Sequence, residues 1–177
     1  MSPGEPGVAR GMAPRVIFVA KFGLAIIVLY VIVALNPVND RVIVPFTEIV
    51  ARSAAALLRV VDSGIQSTGT VISSPTFAID VRNGCNGIEA MILVCAAIFA
   101  FPATLRSRVV GLLAASVAIQ ILNVVRLGSL FWLGANHRRF FDLFHVAVWQ
   151  SLIILAAITM FILWSWKFAE KPLARAR

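Results

Sequence analysis

Three side chains of reactive types, Cys85, Arg126 and His145, lie where apolar stretches of the sequence meet polar ones. Cys85 stands between two glycines in the segment NGCNGIE (residues 83–89), directly ahead of an apolar stretch. Near the start of a helix, unpaired amides and the helix dipole favour a thiolate over a thiol. A histidine can move a proton near neutral pH, and a fixed arginine can stabilise developing negative charge. Nucleophilic cysteine chemistry needs these residue types, provided that the fold brings them together.

Each of these residues also has a structural interpretation that involves no chemistry. A lone cysteine in a membrane protein commonly only packs, and Cys95, in the middle of an apolar stretch, fits that description fully. Arg126 at a helix end can extend its side chain to the lipid headgroups. His145 alone is more typical of an interfacial helix end than of a catalyst. Gly84 and Gly87 would permit a tight turn and the close approach of a substrate backbone.

A narrow polar stripe leads up to Arg126 along one predicted helix. Its members are Ser116, Gln120, Asn123 and Arg126, which recur at helical spacing. They should therefore face the interior of a helix bundle instead of lipid, and Asn123 favours a buried, hydrogen-bonded Arg126. The same stripe would suit a small transporter component, in which it would line a pathway.

Glu89 lies one helical turn after Cys85 and could pair with Arg82 or Arg126, or orient His145. A surface ion pair is the simpler interpretation of this carboxylate. The other histidine, His137, lies in an exposed-looking polar segment. One cysteine and one histidine do not make a metal site, since zinc usually takes three or four ligands. The sequence implies no cofactor.

The composition defines the class of protein that must position these residues. Of the 177 residues, 60% are hydrophobic and only 14% are charged, and the mean hydropathy is +0.91. Soluble domains carry about 25% charged residues, so the chain is an integral membrane protein. Its net charge of +8 comes from basic residues that flank apolar stretches, which indicates membrane topology and not nucleic-acid binding.

The sequence predicts an all-α, polytopic membrane helix bundle with one integral membrane domain, residues 16–166. A disordered cytoplasmic tail (residues 1–15) precedes it, and a basic cytoplasmic tail (residues 167–177) follows it. Four apolar stretches predict transmembrane helices, with Trp164 and Trp166 as interface anchors. The four predicted spans are residues 16–35, 88–104, 109–127 and 143–166.

The segment between the first two spans predicts extramembrane structure. Residues 36–40 read as a turn, and residues 45–61 read as an amphipathic helix whose two arginines favour the membrane interface, with a true span as the alternative. Residues 70–72 and 77–81 both favour strands, which fits a small hairpin outside the membrane.

Loop charges predict the orientation of the bundle, because basic residues are retained on the cytoplasmic side. With both termini inside, the inner segments carry eight basic and two acidic residues, and the outer segments carry six of each. Cys85, Arg126 and His145 then all reach the outer surface. Helix ends in a small antiparallel bundle lie within roughly 10 Å of one another, the spacing of packed helices.

The order of three motifs resembles the exosortase/archaeosortase family. The motifs are NGCNGI at residues 83–88, NVVR at residues 123–126, and a histidine, His145, that opens the next span. The family signatures centre on Cys-Ser-Gly-Ile-like and Asn-x-x-Arg motifs. The short chain is most similar to the exosortase H subgroup, which is associated with substrates that bear an IPTL-type C-terminal tail. The resemblance covers residue 83 to about residue 149.

The resemblance implies a membrane-embedded cysteine peptidase or transpeptidase in the bacterial cytoplasmic membrane. Its partners would be exported proteins with a C-terminal sorting signal: a short motif, a hydrophobic helix and a basic tail. It implies that Cys85 is the nucleophile, that Arg126 is the family's arginine and that His145 transfers protons. Asn86 replaces the usual serine after the cysteine, and the chain lacks the extra spans of longer members. The alternatives are a non-enzymatic membrane subunit, or a transporter component, in which Cys85 is incidental.

Overall fold

The computed structural model describes residues 7–168, with side chains described from Arg15 onward. Three helical segments are long and apolar enough to cross a membrane, and they contain 20, 32 and 31 residues. The all-α membrane bundle predicted from the sequence is therefore confirmed. The three segments are Arg15–Ala34, Leu105–Asn136 and Arg138–Phe168.

Helix α1 spans Gly7–Ala34 and therefore starts inside the stretch predicted as a disordered tail. Residues 1–6 of that tail, and residues 169–177 of the predicted basic tail, lie outside the described part. The turn predicted at residues 36–40 is wrong. Leu35 alone is extended, after which helix α2 (Asn36–Val38) and a π-helical segment (Asn39–Ile43) follow. Pro37 lies in the first turn of α2, a position at which proline is tolerated.

Helix α3, Val44–Leu58, occupies the segment predicted as an amphipathic helix. Its buried face consists mainly of small residues, among them Ala51, Ala54 and Ala55, and it packs against the sheet and the long helix α5 (Leu105–Asn136). Its opposite face carries the exposed ion pair between Arg52 and Glu48. The helix is confirmed, and its location at the membrane interface stays a prediction.

The hairpin predicted from the sequence is present, and it belongs to a three-stranded antiparallel sheet. Its location outside the membrane stays a prediction. The predicted strands correspond to β2 (Val71–Ser73) and β3 (Ala78–Asp80), and they pair with Ile72 opposite Ile79. Strand β1 (Gln66–Thr68) was not predicted, because its residues are all polar. The strand order is β1-β2-β3, which leaves β3 at one edge of the sheet.

Helix α4, Ile88–Ala100, is shorter than the span predicted over residues 88–104. Pro102 follows Phe101, which is extended with φ −77° and ψ 139°, as expected for a residue before proline. At 1.5 Å per residue the 13-residue helix is about 20 Å long, which is short for a hydrocarbon core of about 30 Å. The four-span count is therefore approximate.

Helix α5, Leu105–Asn136, continues well past the predicted end at residue 127, so the loop predicted between the third and fourth spans is wrong over residues 128–136. Only His137 separates α5 from helix α6 (Arg138–Asp142). Gly128 and Gly134 look like helix breakers in the sequence. In the structure both are buried inside the helix, where Gly128 lies against Leu57 and Gly134 against the ring of Phe77.

Helix α6 continues through a second π-helical segment (Leu143–Val148) into helix α7 (Trp149–Phe168). Helices α4, α5 and α7 share one apolar cluster, which includes Val94, Ile119 and Ile153. Trp164, predicted as an interface anchor, is buried in this cluster, where its Nε1 donates to the carbonyl of Ser107 at 3.1 Å.

The fold makes a prediction about the contact that attaches the sheet to α5. A Cβ at position 134 would collide with the ring of Phe77, which also packs edge-on against Phe131 at 5.4 Å between centroids. We therefore expect Gly134→Ala to displace the sheet and to lower the free energy of unfolding by about 1–3 kcal/mol, the usual cost of overpacking. Thermal unfolding in detergent measures this loss.

Gly23→Ala is the matched control for that measurement. Gly23 lies inside α1 with nothing within 4 Å of an added Cβ, so alanine should leave the melting temperature unchanged or raise it through its better helix propensity. Equal melting temperatures for wild type and Gly134→Ala would contradict this packing analysis.

Candidate active site

Cys85 lies in the loop between strand β3 and helix α4, and two glycines shape that loop. Gly84 has φ +91° and Gly87 has φ +83°, left-handed conformations that glycine adopts at no steric cost. The amide of Cys85 donates to the carbonyl of Arg82 at 2.8 Å. A Cβ on Gly87 would also lie 2.8 Å from Nε2 of Gln120, so this glycine permits close contact with α5.

Three side chains of the polar stripe on α5 donate hydrogen bonds to the backbone of this loop. Gln120 Nε2 donates to the carbonyl of Asn86 at 3.2 Å, and Asn123 Nδ2 donates to the carbonyl of Cys85 at 3.1 Å. Arg126 Nη1 donates to the carbonyl of Gly84 at 3.4 Å. The three donors lie three residues apart along α5, and they bind three consecutive carbonyls of the loop in the reverse order. These three pairs are called the polar ladder below. The predicted inward orientation of the stripe is confirmed.

Asn86 ties the other side of the loop to the helix that precedes the sheet. Its side chain is fully buried and donates through Nδ2 to Oγ1 of Thr47 at 3.0 Å and to Oδ1 of Asn83 at 3.1 Å. Its Oδ1 accepts from the amide of Ile88 at 3.2 Å, which satisfies one unpaired amide at the start of α4. An amide side chain can donate and accept at once in this way, whereas serine is too short to reach as far.

Glu89 caps the loop instead of forming the ion pair expected from the sequence. Its Oε1 accepts from the amide of Gly84 at 2.7 Å. Among the described residues, the ion pairs are those of Arg52 with Glu48 and of Arg82 with Asp80. A carboxylate in the first turn of α4 also interacts favourably with the helix dipole.

Two of the three reactive side chains, those of Cys85 and His145, are in direct contact. Cys85 Sγ lies 2.9 Å from Nε2 of His145, which belongs to the π-helical segment before α7. Such π-helical turns occur frequently at functional sites. The imidazole also packs against the ring of Phe141 at 5.6 Å between centroids. Arg126 is 2% exposed, contacts the residue before Cys85, and has no described partner for its Nε.

Arg126 does not end a helix, as the sequence suggested. It lies ten residues before the last residue of α5, Asn136, and its side chain is buried. Glu89, Gln150 and Tyr30 join it around a small cavity of about 140 Å³.

Burial raises the pKa of the Cys85 thiol. The positive charge of Arg126 acts in the opposite direction, and the negative charge of Glu89 adds to the increase. The sequence-based expectation of a thiolate favoured by a helix N-terminus is therefore wrong, since Cys85 precedes the N-cap, Gly87, by two residues. The Cys85 side chain is in contact with the imidazole of His145.

Cys85 and His145 lie in the wall of a cavity of about 630 Å³, enclosed by β3 and its flanking residues and by helices α5 and α6. Its lining contains Leu127 and Leu130 on one side and Arg138 and Asp142 at the mouth. The volume lies within the range of about 300–1,000 Å³ that is usual for ligand sites.

Sequence reasoning missed the residues that anchor the loop from the side of α3. Asn39, in the predicted turn, accepts through Oδ1 from Asn83 Nδ2 at 3.1 Å. Thr47, buried within the predicted amphipathic helix, accepts from Asn86. A threonine on the apolar side of such a helix was the available signal.

No group of three or more His, Cys, Asp or Glu among residues 7–168 is arranged to hold a metal ion.

These features define a multi-pass membrane protein with a half-buried cysteine–histidine pair beside a cavity. The family model described as transmembrane exosortase (Exosortase_EpsH) matches residues 8–165, which is most of the chain. The chain therefore belongs to the transmembrane exosortase family, as its motifs predicted. No curated protein and no solved structure matches it.

The raised pKa of Cys85 generates a prediction for alkylation by a neutral maleimide, which reacts with the thiolate. In a Cys95→Ala background, we expect the labelling rate to rise with pH and to reach its midpoint above the usual thiol value of about 8.5. Removing the charge of Arg126 in Arg126→Gln should move the midpoint to higher pH, because that charge stabilises the thiolate. Glu89→Gln should move it to lower pH.

Labelling rates between about pH 6 and pH 10 give these midpoints, and the wild-type chain with only Cys95→Ala is the reference. A midpoint below the usual thiol value, or shifts of the same sign in the two charge variants, would contradict the assignment of burial and charge made above.

Proposed function

We propose that this protein is a membrane-embedded cysteine peptidase or transpeptidase that cleaves a C-terminal sorting signal from exported proteins. The observation that carries the proposal is the contact between Cys85 Sγ and His145 Nε2, 2.9 Å long, in the wall of a peptide-sized cavity. Nucleophilic catalysis requires a thiol within hydrogen-bond reach of a base.

In the first step, His145 takes the proton of Cys85 as the sulfur attacks the carbonyl carbon of the scissile peptide. This base is needed because burial disfavours a free thiolate. A carbon–sulfur bond forms, and the carbonyl electron pair moves onto oxygen. The resulting tetrahedral intermediate carries a negative charge beside the Cys85 loop.

In the second step, the carbon–nitrogen bond breaks and the imidazolium of His145 protonates the leaving amine. The apolar helix and basic tail depart, and the rest of the substrate stays attached to Cys85 as a thioester. An acceptor amine completes a transpeptidation, whereas water completes a hydrolysis. His145 serves as base again for the incoming group.

Arg126 is assigned to stabilise negative charge at the reacting centre or to orient the substrate carbonyl. Its charge already favours the Cys85 thiolate, and its buried Nε has no described partner. In a site screened from water a fixed donor of this kind contributes about 3–4 kcal/mol to the transition state. Asn123 and Gln120 serve this chemistry indirectly, by fixing the carbonyls next to the nucleophile.

We place the site on the outer side of the bacterial cytoplasmic membrane with both termini inside, on the basis of the loop charges. The substrates would be exported proteins that end in a short motif, an apolar helix and a basic tail, with an IPTL-type motif as the form suggested by the short chain. Such a protein is called the tailed substrate below.

The alternative function is a non-enzymatic membrane subunit or transporter component with a pathway along the polar stripe. Gln120, Asn123 and Arg126 all donate to carbonyls of the Cys85 loop. Side chains occupied in this way are better suited to positioning a loop than to lining a pathway, which supports the enzymatic proposal. The alternative requires that Cys85→Ala keeps function and that changes at Gln120 or Asn123 abolish it.

The proposal predicts the processing of the tailed substrate in membranes that contain equal amounts of each variant. Cys85→Ala should lower the rate at least about a thousandfold, because no other group replaces the nucleophile. His145→Ala should lower it about a hundredfold to ten-thousandfold, the usual contribution of a general base. Arg126→Ala should lower it about a hundredfold to a thousandfold.

Cys95→Ala is the control, because Cys95 is half-buried in α4, 3.8 Å from Oγ of Ser116. It should process the substrate at the wild-type rate. Cleavage by Cys85→Ala at the rate of wild type would exclude the proposed function, and loss of cleavage in Cys95→Ala would show that the assay reports on folding.

A further inference from the structure

Strand β3 presents unpaired backbone groups along one edge. The amide of Val81 donates to the carbonyl of Thr70 and the amide of Ser74 donates to the carbonyl of Phe77, so these positions face β2. Hydrogen-bonded and non-hydrogen-bonded pairs alternate in an antiparallel ladder. The amides and carbonyls of Ala78 and Asp80 therefore point away from β2, and none of the described residues hydrogen-bonds to them.

The free edge of β3 lines the cavity that contains the cysteine–histidine pair. All six consecutive residues from Thr76 to Val81 line this cavity, and none of the residues of β2 does. Successive side chains of a strand point to opposite faces. A cavity that touches every residue must therefore follow the edge of the strand, with Cys85 further along the same wall.

The opposite wall suits a single extended polypeptide. Leu127 and Leu130 from α5, with Phe141 from α6, supply apolar surface. At the mouth, Arg138 Nη2 donates to the carbonyl of Thr76 at 3.4 Å, and its guanidinium lies 5.6 Å from the centroid of the Phe77 ring. These contacts cover the beginning of the strand and leave the edge free towards Cys85.

We propose that the substrate segment at the scissile bond binds as an extended fourth strand on the free edge of β3. This inference rests on the proposed function and adds how the peptide is recognised. Edge strands with unpaired groups commonly bind peptides by strand addition, in which main-chain hydrogen bonds hold the peptide and pockets read alternate side chains. The side chains that face α5 would meet the apolar wall, so small or apolar residues should be favoured at alternate positions.

The occupant is a peptide of the substrate and not a second copy of this chain, because the free edge lines the cavity that contains Cys85 and His145, where the proposed cleavage takes place. One strand needs about 4.8 Å beside β3, and residues of α5 and α6 line the same cavity. Strand addition also extends the substrate, which presents its carbonyl to Cys85 in the conformation that cysteine and serine peptidases generally require.

The test removes the free amide without changing the contacts to β2. Ala78→Pro deletes an edge amide and places a ring where the substrate backbone would lie, and proline is tolerated at edge positions whose amide faces outward. We expect at least tenfold slower processing of the tailed substrate. Ser67→Pro is the matched control, since the register places the amide of Ser67 on the outer edge of β1, away from the cavity. It should stay within twofold of wild type.

A binding measurement distinguishes this proposal from the proposed function. A photo-cross-linking amino acid at position 78, in a Cys85→Ala background, should attach to the uncleaved tailed substrate, and the same probe at position 67 should not. Equal membrane levels and unchanged maleimide labelling of Cys85 in the two proline variants show that the site remains formed.

The processing and cross-linking results distinguish a failure of the proposed function from a failure of strand addition. Cleavage by Cys85→Ala would exclude the proposed function together with this inference. With Cys85 essential, wild-type processing by Ala78→Pro would overturn strand addition alone. If both proline variants lose activity, cross-linking decides: attachment at position 78 and not at position 67 supports the inference, and any other pattern overturns it.

Discussion

The polar ladder between α5 and the Cys85 loop is the interaction on which the site depends. Where the irregular Cys85 loop packs against α5, its backbone carbonyls have no strand or helix partner and are satisfied by side chains instead. Gln120, Asn123 and Arg126 supply three donors to three consecutive carbonyls. Removing one donor would leave a buried carbonyl unpaired, which costs about 1–3 kcal/mol. The ladder therefore fixes both the position of the loop along α5 and its orientation relative to that helix.

The length of α4 explains why such a ladder is needed. This helix is about 20 Å long and begins beside Arg126, and α5 continues for ten residues, or about 15 Å, past that level. The side chain of Cys85 is thus half-buried beside α5 and the π-helical segment that carries His145. Burial raises the pKa of the thiol and at the same time strengthens every charge interaction in the site. The proposed function needs a base in contact with such a cysteine, and His145 lies in contact with Cys85.

The sequence predicted those parts of the structure that depend on local pattern. Apolar stretches gave the long helices, helical spacing gave the inward stripe of α5, and strand-forming residues gave β2 and β3. It failed where packing overrides local preference. Gly128 and Gly134 look like the start of a loop, yet both lie inside α5. At Gly134 the ring of Phe77 occupies the space that a side chain would fill. Likewise, the all-polar β1 exists because β2 provides an edge with which it can pair.

The long-range hydrogen bonds of the site could not be predicted from the sequence for a related reason. The motif at residues 83–89 marks the reactive loop, but nothing in it specifies that Asn86 binds Thr47, 39 residues earlier. The preference for an amide at position 86 becomes intelligible only with that partner known: Asn86 links α3 to the start of α4 through one buried side chain. Because α3 also packs against the sheet, the same link couples the position of β3 to that of Cys85. The wall that would align a substrate and the nucleophile that would attack it are thereby held in one rigid arrangement, which nucleophilic catalysis at a fixed carbonyl requires.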